Sequence, residues 1–270
     1  VSHLFGTIHL ADTMVFRQPV AVLQALDTSA VFIAELDLDS VRAQASNLRA
    51  MMATPGASLR DVLHDTDYAA VKAYVRTHMD AMAAMSIDLM KPGVIASMMM
   101  MQRVKRTAPM SVDEFLWGRA KSLELETLGI ERAAEQLTVL DAMPPEAIVE
   151  FVRNPEAFDS LHGVLRDAYV QGNLEAIMAA MSELDHYESF AVAINDDRNV
   201  TMVNRLQDYL QRGGAFIAVG AAHLAGPNGM LALLQAQGYR VTPVTSPERH
   251  MMLAHPIETA ATGRNRRTTR

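Results

Sequence analysis

Two segments near opposite ends of the chain share one pattern, and that pattern restricts the fold. Leu4-Phe5-Gly6-Thr7-Ile8-His9-Leu10 and Ala218-Val219-Gly220-Ala221-Ala222-His223-Leu224 each run from apolar residues through Gly-x-x-His to a leucine. The first opens a unit that reads as strand 3–8, helix 19–28 and strand 30–36. The second opens strand 215–219, loop 220–227, helix 228–237 and strand 239–244. Pro19 suits a first helical turn, and Gly238 sits where a helix C-cap glycine belongs. Val31-Phe32-Ile33-Ala34 is a short apolar run rich in strand formers, as expected of a strand buried on both faces. Both units read as βαβ elements of a parallel sheet, and such sheets place ligands beyond the carboxyl ends of their strands.

Between them, residues 40–53, 58–86, 92–107 and 111–121 carry apolar residues at helical spacing, and Ser111-Val112-Asp113-Glu114 reads as a capping box. The alternation Ser122-Leu123-Glu124-Leu125-Glu126-Thr127 predicts a return to the sheet. Helices follow over 131–140, 144–153, 155–171, 173–188 and 198–212, with Gly172-Asn173 separating two of them. The expected fold class is α/β: a mixed, largely parallel central sheet from the N- and C-terminal βαβ units, with an inserted helical lobe. We expect one domain over 1–262. Its core comes from about 1–39, 122–130 and 190–246, its helical insertions from about 40–121 and 131–189, and 263–270 forms a disordered basic tail.

Composition narrows the function. The net charge is -7, and four arginines crowd the last eight residues, so the body is more acidic still. An acidic body argues against nucleic acid as a partner. The absence of cysteine removes disulfides, thiolate zinc sites and cysteine nucleophiles. Residues 213–239 hold no Asp, Glu, Lys or Arg, but their glycines, Pro227 and two glutamines suit a strand, a loop and a buried helix rather than a membrane span. The chain opens Val1-Ser2-His3, which suggests a removed leader such as a signal peptide. The run Met98-Met99-Met100-Met101 could suggest thioether ligation of copper(I). Four consecutive helical residues point around a whole turn and cannot converge on one ion, so the run reads as a packing face or plastic groove.

The residues best placed for chemistry are His9, Glu35 and His223, all predicted at carboxyl ends of strands in one sheet. Two neutral imidazoles and a carboxylate form a divalent-metal ligand set with a position open to water, and a bound ion would acidify that water and polarise a carbonyl. Gly6 and Gly220 would permit a sharp turn or a close approach of substrate. Arg198 opens a helix and could clamp a carboxylate or stabilise an oxyanion; a salt bridge to Asp196 or Asp197 is the alternative. Glu126, ending the mid-chain strand, could be a catalytic or supporting carboxylate; a plain exposed strand end is the alternative. Asp37 and Asp12 could be outer ligands or turn residues. His3, His64, His78, His162, His186, His250 and His255 form no paired cluster, and no Gly-x-Ser-x-Gly elbow, Walker loop or dinucleotide fingerprint occurs.

The order of motifs resembles the TraB/PrgY/GumN family, which also contains the Tiki proteases. The likeness rests on Leu4–Leu10, Ala34-Glu35-Leu36-Asp37, Leu125-Glu126-Thr127, Glu135-Gln136-Leu137, Arg198-Asn199, Ala218–Gly226 and the ending Leu233–Val244. It implies an α/β core related to erythromycin esterase and ChaN-like haem-binding proteins. It also implies metal-dependent peptide hydrolysis, with manganese or cobalt favoured and zinc compatible. The metal roles fall on His9, Glu35 and His223, and Arg198 matches the family's Arg-Asn position. The family likeness further implies export to the periplasm or exterior, the cytoplasm being the alternative. The segment between Glu126 and Gln136 looks longer than usual in the family, and the strand that often precedes the first motif is missing. Expected partners are a peptide or protein substrate and, in a homodimer, a second copy of the chain. Competing functions are a non-catalytic protein that captures a peptide, signal molecule or haem, and a metal-independent hydrolase with His9 as general base.

Overall fold

The computed structural model describes residues 1–43, 46–182, 195–246 and 248–254. Its centre is a four-stranded sheet of β1 (His3–Thr7), β3 (Val31–Leu36), β4 (Glu126–Glu131) and β5 (Ala215–Gly220). The order is β1-β5-β3-β4 and every pairing is parallel. The last strand of this sheet therefore lies between the first two. β3 and β5 are buried along nearly their whole length, because helices cover both faces.

Alternation along these strands sorts the core into two layers. Phe32, Ala34, Phe216 and Ala218 face one side, with Phe5 beside them, and pack on Leu23, Leu26, Phe115, Leu116 and Trp117. Phe32 stacks on Phe216 with ring centroids 5.9 Å apart, and Trp117 meets Phe32 edge-on at 6.1 Å. Val31, Ile33, Ile217 and Val219 face the other side, against Met202, Val203, Leu206, Met230 and Leu234.

Between β3 and β4 the chain forms helices Leu38–Ala43, Ser46–Met51, Leu59–Val62, Asp65–His78, Ala81–Ser86, Pro92–Arg103 and Val112–Ser122. Several of them, with Pro145–Arg153, close a separate core around Leu59, Val71, Val75, Ile95, Met99, Ile148 and Phe151. The methionine run wraps its helix as its spacing requires: Met99 is buried and Met101 is exposed. Among the described residues no helix is long and apolar enough to cross a membrane.

Several boundaries differ from expectation. The long pattern over 58–86 is three helices, because the chain extends at Leu63-His64 and again at Met79-Asp80, where Asp80 caps the next helix by accepting from the Ala83 amide at 2.8 Å. The strand expected over 122–127 lies at 126–131. Helix 112–122 runs on to Ser122, and Glu124 turns the chain with φ of 57°. Glu131 is thus strand, and the following helix is Ala133–Val139. Residues 239–244 form no strand; Tyr239 and Val241 pack on the second layer instead. A small antiparallel pair, β2 (Arg17–Pro19) with β6 (Arg249–Met251), had no counterpart in the sequence pattern. Helix Leu174–Ser182 is described to its last named residue, while the rest of the helix expected to 188 and the expected tail 263–270 lie outside the described residues.

Candidate functional site

The carboxyl ends of the four parallel strands bring His9, Glu35, Glu131 and His223 to one edge of the sheet. Glu35 is the penultimate residue of β3 and only 5% exposed. One of its oxygens, Oε1, accepts the Gly220 amide of the neighbouring strand; the other, Oε2, accepts from Gln136 Nε2 at 3.1 Å and from Arg198 at 3.4 Å. His9 Nε2 lies 3.7 Å from Oε2, and His223 Nε2 lies 3.6 Å from Oε1. The first and last strands of the sheet thus aim one imidazole nitrogen each at opposite oxygens of a single carboxylate.

Each ring is backed on its other nitrogen. Asp113, in the first turn of helix 112–122, faces His9 Nδ1 at 3.0 Å and accepts from the buried Thr7 hydroxyl at 2.6 Å. The capping box of that helix uses Ser111 and Glu114, which leaves Asp113 available to the site. The same segment clasps the loop after β1: the amides of Thr107 and Ala108 donate to the Ala11 carbonyl, and the Thr13 amide to the Thr107 hydroxyl. His223 ends a single 3-10 turn after β5 and is 5% exposed; Asn199 Oδ1 meets its Nδ1 at 2.7 Å.

The glycines of the two motifs make room rather than turns, since neither has a positive φ. A Cβ on Gly6 would stand 2.9 Å from Leu224 Cδ1 and 3.1 Å from Ala221, so this glycine admits the other motif's loop across β1. On Gly220 it would stand 3.1 Å from Glu35 Oε1.

Arg198 sits in the first turn of helix Asp197–Arg212 and grips Glu131 through two bonds, Nε at 2.9 Å and Nη2 at 2.6 Å. It therefore ties two buried carboxylates together. Glu126 is not part of the centre: it begins β4, paired with Val31 at the opposite edge of the sheet, and is exposed. The carboxylate that ends that strand is Glu131. The run Leu128-Gly129-Ile130-Glu131 echoes Ile33-Ala34-Glu35, a resemblance that could have located it. Asp37 is a turn residue, accepting from the Asp39 and Ser40 amides, and Asp12 caps the 3-10 turn over 13–16 through the Met14 amide.

Environment sets the charges apart. Burial alone would raise the Glu35 carboxyl, but the nearby His9 and His223 imidazoles and the Gly220 amide hold it well below the ordinary carboxylate range. Asp113 is the main influence that lifts His9 well above an ordinary imidazole, with Glu35 assisting. Burial leads in pushing His223 down, and Arg198 and His9 add to it. Burial disfavours the Arg198 charge, yet Glu131 and Glu35 raise it further.

A model of the TraB/PrgY/gumN family matches residues 1–243. The chain belongs to the TraB/PrgY/gumN family. No curated protein and no solved structure matches it in the corresponding comparisons. The donor chemistry of this family member suits a divalent ion. Donors sharing one ion through bonds of about 2.1 Å lie at most ~4.2 Å apart, and both nitrogen-to-Glu35 gaps fall inside that limit while exceeding a hydrogen bond. Among the described residues no three histidine or acidic side chains already form a metal-holding group. In the arrangement described, Glu35 instead serves Gly220, Gln136 and Arg198.

Proposed function

We propose that the chain is a metal-dependent hydrolase acting on peptides, with a divalent ion held by His9, Glu35 and His223. The observation that carries this reading is the convergence of two strand-end imidazoles on opposite oxygens of one buried carboxylate. Manganese or cobalt follows from the family likeness, and zinc also suits two imidazoles and a carboxylate. When bound, such an ion activates water and polarises a carbonyl. The chain's own residues supply the rest. Fixed hydrogen bonds and the neighbouring imidazoles keep the buried Glu35 ionised and oriented. Arg198, braced by Glu131, offers a guanidinium to a carboxylate or a developing oxyanion. His9, 61% exposed against 6% for His223, lies on the solvent side where substrate arrives. Peptide as the substrate class and export as the location are supported by the family likeness.

Calorimetric titration of the purified chain with Mn2+, Co2+ and Zn2+ tests the metal. Binding that is lost in both His9→Ala and His223→Ala supports it, and equal affinity in these variants refutes it. Cleavage of a quenched-fluorescence peptide library tests the activity; metal binding with no cleavage products leaves a binding protein in its place. The Asp113–His9 pair favours a second reading, in which His9 is a general base backed by a carboxylate. Turnover that survives exhaustive chelation and vanishes in His9→Gln distinguishes it.

A further inference from the structure

The Asn199 side chain is 1% exposed and makes two hydrogen bonds that together fix a proton. Its Nδ2 donates to the Asn228 carbonyl at 2.9 Å, and its Oδ1 faces His223 Nδ1 at 2.7 Å. The reversed amide would set Oδ1 against the Asn228 carbonyl oxygen, two acceptors with no proton between them, so one orientation alone satisfies both contacts. Asn228 is itself held, since its Nδ2 donates to Asp196 Oδ2 at 2.7 Å. With an oxygen facing the ring, His223 Nδ1 carries the hydrogen. A neutral imidazole has one N–H, so Nε2 is then a bare lone pair. That is the atom 3.6 Å from Glu35 Oε1. On the other side of the centre, Asp113 can only accept, so His9 Nδ1 likewise carries a hydrogen.

We propose that Asn199 is a positioning residue that sets the Nδ1–H tautomer of His223 and so presents Nε2 as the donor atom of the centre, with Asp113 as its counterpart behind His9. The tautomer follows from the hydrogen bonds alone. Its use for holding an ion rests on the metal reading above, because ligating histidines are held through the opposite nitrogen and loss of that partner weakens binding about 10–100-fold.

The experiment uses the full 15N-labelled chain, metal-free, at alkaline pH where the imidazoles are neutral. Long-range 1H–15N correlation spectra report which ring nitrogen is protonated, with His223 assigned by its loss in His223→Gln. The expected result is a protonated Nδ1 and bare Nε2 in the wild type, lost in Asn199→Leu. Mn2+ and Co2+ affinity should fall about 10–100-fold in Asn199→Leu. A proton on Nε2 in the wild type overturns the proposal without any variant. So does an unchanged tautomer in Asn199→Leu, or in Asn199→Ala if the leucine variant does not fold. A wild type with the expected tautomer that binds neither ion overturns the metal reading and leaves the positioning role in place.

Discussion

Replacing Glu131 by glutamine removes one charge from the pair that braces Arg198. The Glu131 side chain is 3% exposed and Arg198 14%, and two short bonds join them. Removing one partner of a buried ion pair destabilises by about 3–5 kcal/mol, because the remaining charge is left without compensation. Glu35 still stands 3.4 Å from the guanidinium, so the loss should fall near the lower end, about 3 kcal/mol. In a chain of this size that corresponds to a drop in Tm of about 6 °C or more. Urea unfolding should show a lower midpoint with an unchanged m-value, since the exposed surface is the same. Glu126→Gln is the matched control: exposed at the far edge of the sheet, it should stay within about 0.5 kcal/mol of wild type. A loss below ~1 kcal/mol in Glu131→Gln, or an equal loss in Glu126→Gln, would refute the assignment of Glu131 as the buried strand-end carboxylate.

Gly6→Ala should cost about 1–3 kcal/mol in thermal melts, since its Cβ meets Leu224 and Ala221 at 2.9–3.1 Å. His9 has a raised pKa in the fold, so its contribution to stability is complete below the ordinary imidazole pKa and disappears as pH rises through the raised value. The stability difference between wild type and His9→Gln should therefore shrink between neutral and alkaline pH, and Asp113→Asn should abolish most of that trend in urea titrations. Glu35 has the opposite sign: its contribution is present above the ordinary carboxylate pKa and is lost on acidification through the depressed value, so acid unfolding should come earlier in Arg198→Gln. Met99→Ala should destabilise by about 2–5 kcal/mol and Met101→Ala by less than about 0.5 kcal/mol, by calorimetry, because one is buried and the other 58% exposed.

The strands that carry the centre were legible because burial on both faces leaves an unbroken apolar signature, as in Val31–Ala34 and Ala215–Val219. Tyr239–Val244 has similar strand-forming residues, but strand character is completed by a pairing partner, and this segment packs against helices without one. Ser122–Thr127 alternates correctly yet spans a helix end and a turn, which moved the strand by four residues and named the wrong glutamate. His9, Glu35 and His223 were readable because each ends a local pattern. The roles of Asp113, Asn199 and Gln136 were not, although the last two lie in motifs that carry the family likeness, since those roles arise only from contacts 104, 24 and 101 residues away in sequence. Asp113 looked like an ordinary first-turn acid of a helix, which it also is.

The order β1-β5-β3-β4 has a consequence for timing. The strand that leads to the second histidine is the last of the sheet to leave the ribosome, and it wedges between two strands made long before. Until it arrives, β1 has no pairing partner in the sheet and Glu35 lacks the Gly220 amide. A nascent or C-terminally truncated polypeptide that lacks β5 therefore holds His9 and Glu35 without His223, and any activity of this site begins only after residue 223 has left the ribosome.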